Sequence, residues 1–137
     1  MKILFVCRAN MERSVVAAVI FSKLSTKNTA TSSGFHVKAE NGVGKGPSEI
    51  TSPLLNKAGY DASNHHRIQL TKRMFDDADI VIFIVNRMEK RMLPSYCKSS
   101  KKTIFWDINA SIHTAEHHAA RLRIIEHLVM ELVIETG

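Results

Sequence analysis

The sequence predicts an α/β fold: a single three-layer domain in which a four-stranded parallel sheet is covered by helices on both faces. Apolar segments of strand length alternate along the chain with segments of helical periodicity, which is typical of a parallel sheet. Two strand segments, 3–6 and 80–85, are continuously apolar, as strands buried on both faces are. The 137 residues, of which 45% are hydrophobic, suffice for one domain over 1–137 with a packed core.

Four segments have the composition of strands. The third is the most apolar, so we expect it near the centre of the sheet. The second contains more serine and threonine, and Gly34 marks the turn at its end. In chain order, the predicted strands cover 2–6, 30–35, 79–85 and 102–106.

Five helices are predicted around these strands. The second begins at Ser48 or Ser52, because Pro53 fits only the first turn of a helix, and Gly59 ends it. Before it, the glycines of 40–48 lack the preceding strand that a nucleotide cradle requires, so we interpret this segment as a flexible connection. The other predicted helices cover 14–23, 71–77, 86–93 and 114–135.

Charge and cysteine content limit the possible partners. The formal net charge of +6 favours an anionic ligand or partner. Only Tyr96 lies among the basic residues near the fourth strand as a stacking platform, so we predict a solvated surface and no nucleic-acid partner. Cys7 and Cys97 are too few and too far apart for a disulfide framework, which favours a reducing cytoplasm. The apolar start is too brief for a signal peptide, and no segment reaches membrane-spanning length, so we expect a cytoplasmic protein without a membrane partner.

The spacing of Cys7, Arg13 and Ser14 is the most informative feature for function. Cys7 follows the first predicted strand, and Arg13 stands where the first helix begins. Main-chain N–H groups of the intervening loop can converge on one anion in front of the sulfur. The helix N-terminus and Arg13 favour the thiolate, and Ser14 can donate a hydrogen bond to it. A lone cysteine is more often a small buried residue, but this spacing favours a nucleophile.

A candidate acidic site residue lies at the same edge of the predicted sheet as Cys7. Asp107 follows the fourth strand, and the loop after the second strand reaches that edge too. Ligands of open α/β sheets bind beyond the carboxyl ends of the strands. We therefore expect Cys7, Asp107 and the loop after the second strand to lie together at one binding site.

Several segments together resemble the low-molecular-weight protein tyrosine phosphatases. Segment 6–14 is similar to the phosphate-binding loop of that family, and the further similarities follow in the order of the family and cover nearly the whole chain. The resemblance implies a flavodoxin-like fold of the low-molecular-weight phosphatase type. The further similar segments are 32–34, 65–71, 77–82 and 106–108.

This resemblance implies hydrolysis of phosphotyrosine, in a protein or a small aryl phosphate, through a cysteinyl phosphate and with inorganic phosphate as product. Cys7 would be the nucleophile, Arg13 would clamp the phosphate, and Asp107 would protonate the leaving phenol. Ser32 and His65 would hold the loop asparagine in place. No cofactor is implied. The phosphate-binding residues would be Arg8, Ala9, Asn10, Met11, Glu12, Arg13 and Ser14.

Two residues of the loop depart from the family pattern. Ala9 stands where the family usually has glycine, so we expect a strained or reshaped backbone. Glu12 stands where a second cysteine is common. A carboxylate there repels a phosphate dianion and opposes the thiolate unless it turns away or pairs with Arg8.

The Asp-Pro pair of the family's general acid is also missing. With the chain aligned on Trp106, the place of the aspartate falls to Ala110 and that of the proline to Ser111. If Asp107 serves instead, Ile108 replaces the proline. Loss of general acid catalysis lowers the rate by roughly a hundredfold to ten-thousandfold.

These departures leave two other functions open. The first is a weakened or inactive relative that binds an oxyanion or a phosphorylated ligand. The second is an arsenate reductase, which needs two further cysteines near the loop, whereas only Cys97 is present. The sequence does not indicate an oligomeric state.

A histidine-rich segment raises the question of a metal ion. We predict no metal site, because no cysteine pair accompanies the segment in a familiar zinc spacing and it opens an amphipathic helix. Its candidate ligands are His113, Glu116, His117 and His118.

Overall fold

Four parallel strands form the sheet, in the order β2-β1-β3-β4. The computed structural model describes residues 1–38, 42–98 and 102–137. The predicted parallel sheet is confirmed, and the most apolar strand, β3, lies beside β1 in its centre. The strands are β1 (Lys2–Cys7), β2 (Thr29–Gly34), β3 (Ile80–Ile84) and β4 (Thr103–Trp106).

The helices lie close to their predicted positions. The second helix begins between the two predicted starts, and the connection before it runs as turns and irregular chain over 42–48; the rest of the predicted connection, 40–41, lies outside the described residues. Among the described residues, no helix combines the length and the apolar character needed to cross a membrane. The helices are α1 (Arg13–Leu24), α2 (Thr51–Lys57), α3 (Lys72–Asp77), α4 (Arg87–Arg91) and α5 (Ala115–Thr136), with a 3-10 turn at Ser95–Cys97.

Side chains that alternate along β1 enter two separate cores, which explains its continuous apolar sequence. Phe5 packs with Phe21 of α1 and with the buried stripe of α5. Val6 packs on the other face with Phe83 and Phe75. Each fully buried side chain of this size stabilises the fold by about 1.5–3 kcal/mol. The two cores fix the carboxyl end of β1, from which the loop with Cys7 departs.

Candidate active site

The loop over 7–13 joins the carboxyl end of β1 to the first turn of α1 and brings Cys7 against Ser14. Sγ of Cys7 lies 3.0 Å from Oγ of Ser14, and both residues are buried. Asn10 Nδ2 donates to the same Oγ at 2.7 Å. Because Ser14 Oγ accepts from Asn10, its own hydrogen is free to point at the sulfur. Ser14 is therefore placed to hydrogen-bond the sulfur of Cys7.

Asn10 holds the shape of the loop. It has a φ of 56°, a conformation that asparagine tolerates better than most residues. Its Nδ2 also donates to Ser32 Oγ at 3.0 Å, and its Oδ1 accepts from the main-chain N–H of Ile68 at 3.0 Å. Nε2 of His65 lies 2.9 Å from the Asn10 carbonyl oxygen, which only accepts, so Nε2 carries the proton. Ser32 and His65 thus both contact Asn10 in the structure.

Ala9 does not have the positive φ that would strain an alanine. Within residues 1–38, 42–98 and 102–137, Asn10 is the only non-glycine residue with a positive φ. Ala9 therefore lies outside the left-handed region, in which an alanine would be strained.

The turn after β2 supports the loop through its main chain. Phe35 N–H donates to the Cys7 carbonyl at 3.0 Å, and His36 N–H donates to the Arg8 carbonyl at 2.8 Å. A Cβ atom on Gly34 would lie 2.7 Å from the Arg8 carbonyl oxygen and 2.8 Å from the Asn10 nitrogen. Glycine is therefore required at this position for the two segments to approach.

Arg13 is buried and fixed along one edge of its guanidinium group. Nη1 and Nη2 donate to the two carboxylate oxygens of Glu89 at 2.8 and 2.9 Å, and Nη1 also donates to the Ile108 carbonyl at 3.0 Å. These contacts use three of the five N–H donors of the group. The two that remain, on Nε and Nη2, make no hydrogen bond to a described residue; they lie along the adjacent edge and match two oxygens of one phosphate group.

Glu89 is a positioning residue that the sequence analysis missed. Its carboxylate also accepts from the Asn86 N–H at 2.9 Å, while Asn86 Oδ1 accepts from the Glu89 N–H at 2.8 Å. This reciprocal pair at the start of α4 is a capping box, and the Asn-x-x-Glu spacing was a signal for it. Although burial opposes both charges, the hydrogen bonds between Arg13 and Glu89 lower the pKa of Glu89 and raise the pKa of Arg13. Both groups are therefore charged at neutral pH.

Glu12 pairs with Arg121 of α5, and not with Arg8 as considered from the sequence. Arg121 Nε and Nη2 donate to the two carboxylate oxygens at 2.8 and 2.9 Å, and both residues are 6% exposed. The pair offsets the charge that a lone carboxylate would present to a phosphate dianion. The two residues are far apart in the sequence, so their pairing was not predicted. Arg121 is, however, a polar residue within the buried stripe of α5, and this was an available signal.

A histidine pair lies beside Glu12. His118 is 2% exposed, and its Nδ1 lies 3.0 Å from Thr51 Oγ1 and 3.5 Å from a Glu12 oxygen. Its Nε2 lies 3.1 Å from Nδ1 of His113. Burial lowers the pKa of His118, so this imidazole is neutral at neutral pH.

The four candidate metal ligands of the sequence do not converge. Potential ligand atoms of Glu12, His113 and His118 lie within 4.8 Å of one another, whereas Glu116 and His117 are exposed. Arg121 already donates to both carboxylate oxygens of Glu12. A cation placed there would face this guanidinium.

A cavity of about 700 Å³ opens in front of the loop. Cys7 and Arg13 line its base, and the chain after β4 lines one wall through 109–111 and His113. Asp107 is exposed and lies outside this lining. The next residue, Ile108, is buried, and its carbonyl contacts Arg13, so the side chain of Asp107 is directed to solvent.

A thiol and a fixed arginine that line one cavity at the start of a helix are the arrangement that a cysteine-dependent phosphatase needs. The chain belongs to the low molecular weight phosphotyrosine protein phosphatase family, whose profile matches residues 2–122. Comparison with curated proteins gives no significant match.

Solved structures of similar proteins agree with this assignment. The low molecular weight protein tyrosine phosphatase from T. tengcongensis is 25% identical, with a TM-score of 0.85 over 98% of this chain and 99% of that one. The YwlE arginine phosphatase from Geobacillus stearothermophilus is also 25% identical, with a TM-score of 0.85 over 98% and 92% of the two chains. Vibrio vulnificus Wzb, solved with benzylphosphonate, is 19% identical with a TM-score of 0.85 over 98% and 97%, which supports the fold.

Proposed function

We propose that this protein hydrolyses aryl phosphate monoesters, and phosphotyrosine in proteins above all, through a phosphocysteine at Cys7. The observation that carries the proposal is that Cys7 and Arg13, whose guanidinium group is held by Glu89, line the same cavity. Arg13 binds two phosphate oxygens, and the main-chain N–H groups of the loop bind the third. A reducing compartment such as the cytoplasm suits this role, because Cys7 must remain a free thiol.

The reaction takes place in two displacements. The thiolate of Cys7 attacks phosphorus as the bond from phosphorus to the aryl oxygen breaks, and the leaving oxygen takes up a proton. Water then attacks the phosphocysteine, loses a proton, and releases inorganic phosphate while the sulfur leaves as a thiolate. Arg13 and the loop stabilise the charge on the phosphoryl oxygens in both transition states.

The walls of the cavity support an aryl group as the leaving portion. Met11, Ile50 and Met88 line the cavity and offer apolar surface to a ring. Lys45 and Arg67 also line it and favour the approach of an anionic substrate.

The test is turnover of 4-nitrophenyl phosphate and a phosphotyrosine peptide. We expect Cys7→Ser to abolish turnover and Arg13→Lys to lower it by about a hundredfold or more. Cys97→Ala and Arg123→Lys are matched controls, since Cys97 lies in the core away from the cavity and Arg123 is exposed on α5. Vanadate or phosphate binding without turnover, and without a trapped phosphocysteine, would instead support a binding protein.

Phosphoarginine is a second candidate substrate. The similarity to an arginine phosphatase and the exposed carboxylate of Glu49 in the lining favour it, because Glu49 can pair with a guanidinium leaving group. Relative kcat/KM values for phosphoarginine and phosphotyrosine peptides decide between them. A preference for phosphoarginine that Glu49→Gln removes would identify the second candidate.

A further inference from the structure

The carboxylates that line the cavity leave the source of the leaving-group proton open. Glu12 accepts from Arg121, and Glu89 accepts from Arg13, so each carboxylate is already held by a guanidinium group. Glu49 is exposed, and no hydrogen bond from the described part of the chain fixes its carboxylate. Ala110 has no proton to give, although it lines the wall where the family's acid is expected.

We propose that His113 is the general acid and base of this enzyme, an inference that rests on the proposed phosphatase function. His113 lines the same cavity as Cys7 and Arg13, on the wall formed by the chain after β4. Its Nδ1 contacts Nε2 of the buried His118 at 3.1 Å, which fixes the ring. Its Nε2 makes no hydrogen bond to any described residue and is available to a substrate.

The groups around His118 determine which nitrogen of His113 donates. His118 Nδ1 lies 3.0 Å from Thr51 Oγ1 and 3.5 Å from the Glu12 carboxylate, so the proton of the neutral ring is on Nδ1. Nε2 of His118 is therefore an acceptor, and Nδ1 of His113 donates to it. His113 thus keeps its Nδ1 proton, and its Nε2 is the atom that gains or gives a proton.

Both displacements then balance at Nε2. In the first, a doubly protonated His113 gives its Nε2 proton to the aryl oxygen as the bond to phosphorus breaks. The ring that remains is neutral, with a lone pair on Nε2. In the second, Nε2 takes a proton from the attacking water, and phosphate and the Cys7 thiolate leave. His113 returns to its starting state.

The dependence of rate on the leaving group tests this role. We would measure kcat/KM for a series of aryl phosphates from 2,4-dinitrophenyl to phenyl phosphate. His113→Gln should lose about a hundredfold to ten-thousandfold on phenyl phosphate, and less than about tenfold on the dinitrophenyl ester, whose phenolate leaves without protonation. His113→Ala should recover activity on phenyl phosphate when imidazole is added.

His127→Gln is the matched control, because His127 is an exposed histidine of α5 that pairs with Glu131. Asp107→Asn and Glu49→Gln test the other donors. The proposal is overturned if His113→Gln keeps the wild-type leaving-group dependence, or if Asp107→Asn or Glu49→Gln acquires the steeper one in its place. A wild-type protein that turns over no aryl phosphate overturns the phosphatase function as well, so the two failures are distinguishable.

Discussion

Arg13 acquires its orientation from the buried carboxylate of Glu89. Glu89 occupies one edge of the guanidinium, and Ile108 accepts a further N–H. A free arginine side chain would have to lose rotational freedom when phosphate binds. In this site that freedom is already lost on folding, which increases the affinity for phosphate.

Glu89→Gln should destabilise the protein by about 3 kcal/mol, since it leaves the buried Arg13 without a charged partner. Asp76→Asn is the matched control, because Asp76 pairs with Lys72 at exposed positions and should contribute less than about 1 kcal/mol. Urea denaturation measures both free energies of unfolding. Equal losses in the two variants would contradict a special role for the buried pair.

Glu12→Cys, which restores the residue common in the family, should destabilise the chain by about 3–5 kcal/mol, because Arg121 then stays buried without a carboxylate. Replacement of Arg121 by leucine in the same chain should recover most of the loss, since the position lies in the apolar stripe of α5. Thermal denaturation of the single and double variants measures this coupling. Additive effects of the two substitutions would count against it.

The two cysteines should differ in reactivity. Burial raises the pKa of Cys97 to about 11, and its side chain is fully enclosed in the core. Cys7 lines the cavity and faces Ser14. Iodoacetamide should therefore modify Cys7 alone in the native protein, and phosphate should protect it. Peptide mass mapping checks the site; modification of Cys97 at a similar rate would contradict this expectation.

At the scale of elements, α5 does more than cover the sheet. Its buried stripe contains His118 and Arg121 beside Leu122 and Ile125. The apolar members pack on α1, and the polar members reach the phosphate-binding loop at Glu12. One helix therefore holds the core and neutralises the loop carboxylate. Residues in the first turns of α5 should therefore be as sensitive to substitution as residues of the phosphate-binding loop.

For the whole molecule, the predictions succeeded where the signal is local. The apolar run of β3 and the periodicity of the helices are determined by neighbouring residues, so both could be recognised in the sequence. The pairs formed by Arg13 with Glu89 and by Glu12 with Arg121 join residues 76 and 109 positions apart. Only the packed fold brings such partners together, so the spacing of residues along the sequence does not identify them.

Stability should fall under mildly acidic conditions. Burial lowers the pKa values of His65 and His118, so the folded protein keeps both neutral while the unfolded chain binds protons below about pH 6.5. The free energy of unfolding therefore decreases as the pH falls from neutrality through this value, by up to about 1.4 kcal/mol per pH unit for each proton. Urea denaturation between about pH 7.5 and 5.5 measures the slope. His118→Gln should reduce it; a slope of opposite sign would refute the prediction.

The close approach at Gly34 fixes the main-chain shape of the loop independently of the side chains that the loop carries. A single methyl group at this position would act as a wedge beneath the main chain of Arg8 and Asn10. The neighbouring strand therefore imposes the curvature of the loop, while a side chain such as Glu12 can vary as long as its counterion Arg121 varies with it. A protein with this construction can change the side chains of the loop and still keep the main-chain conformation that binds an oxyanion.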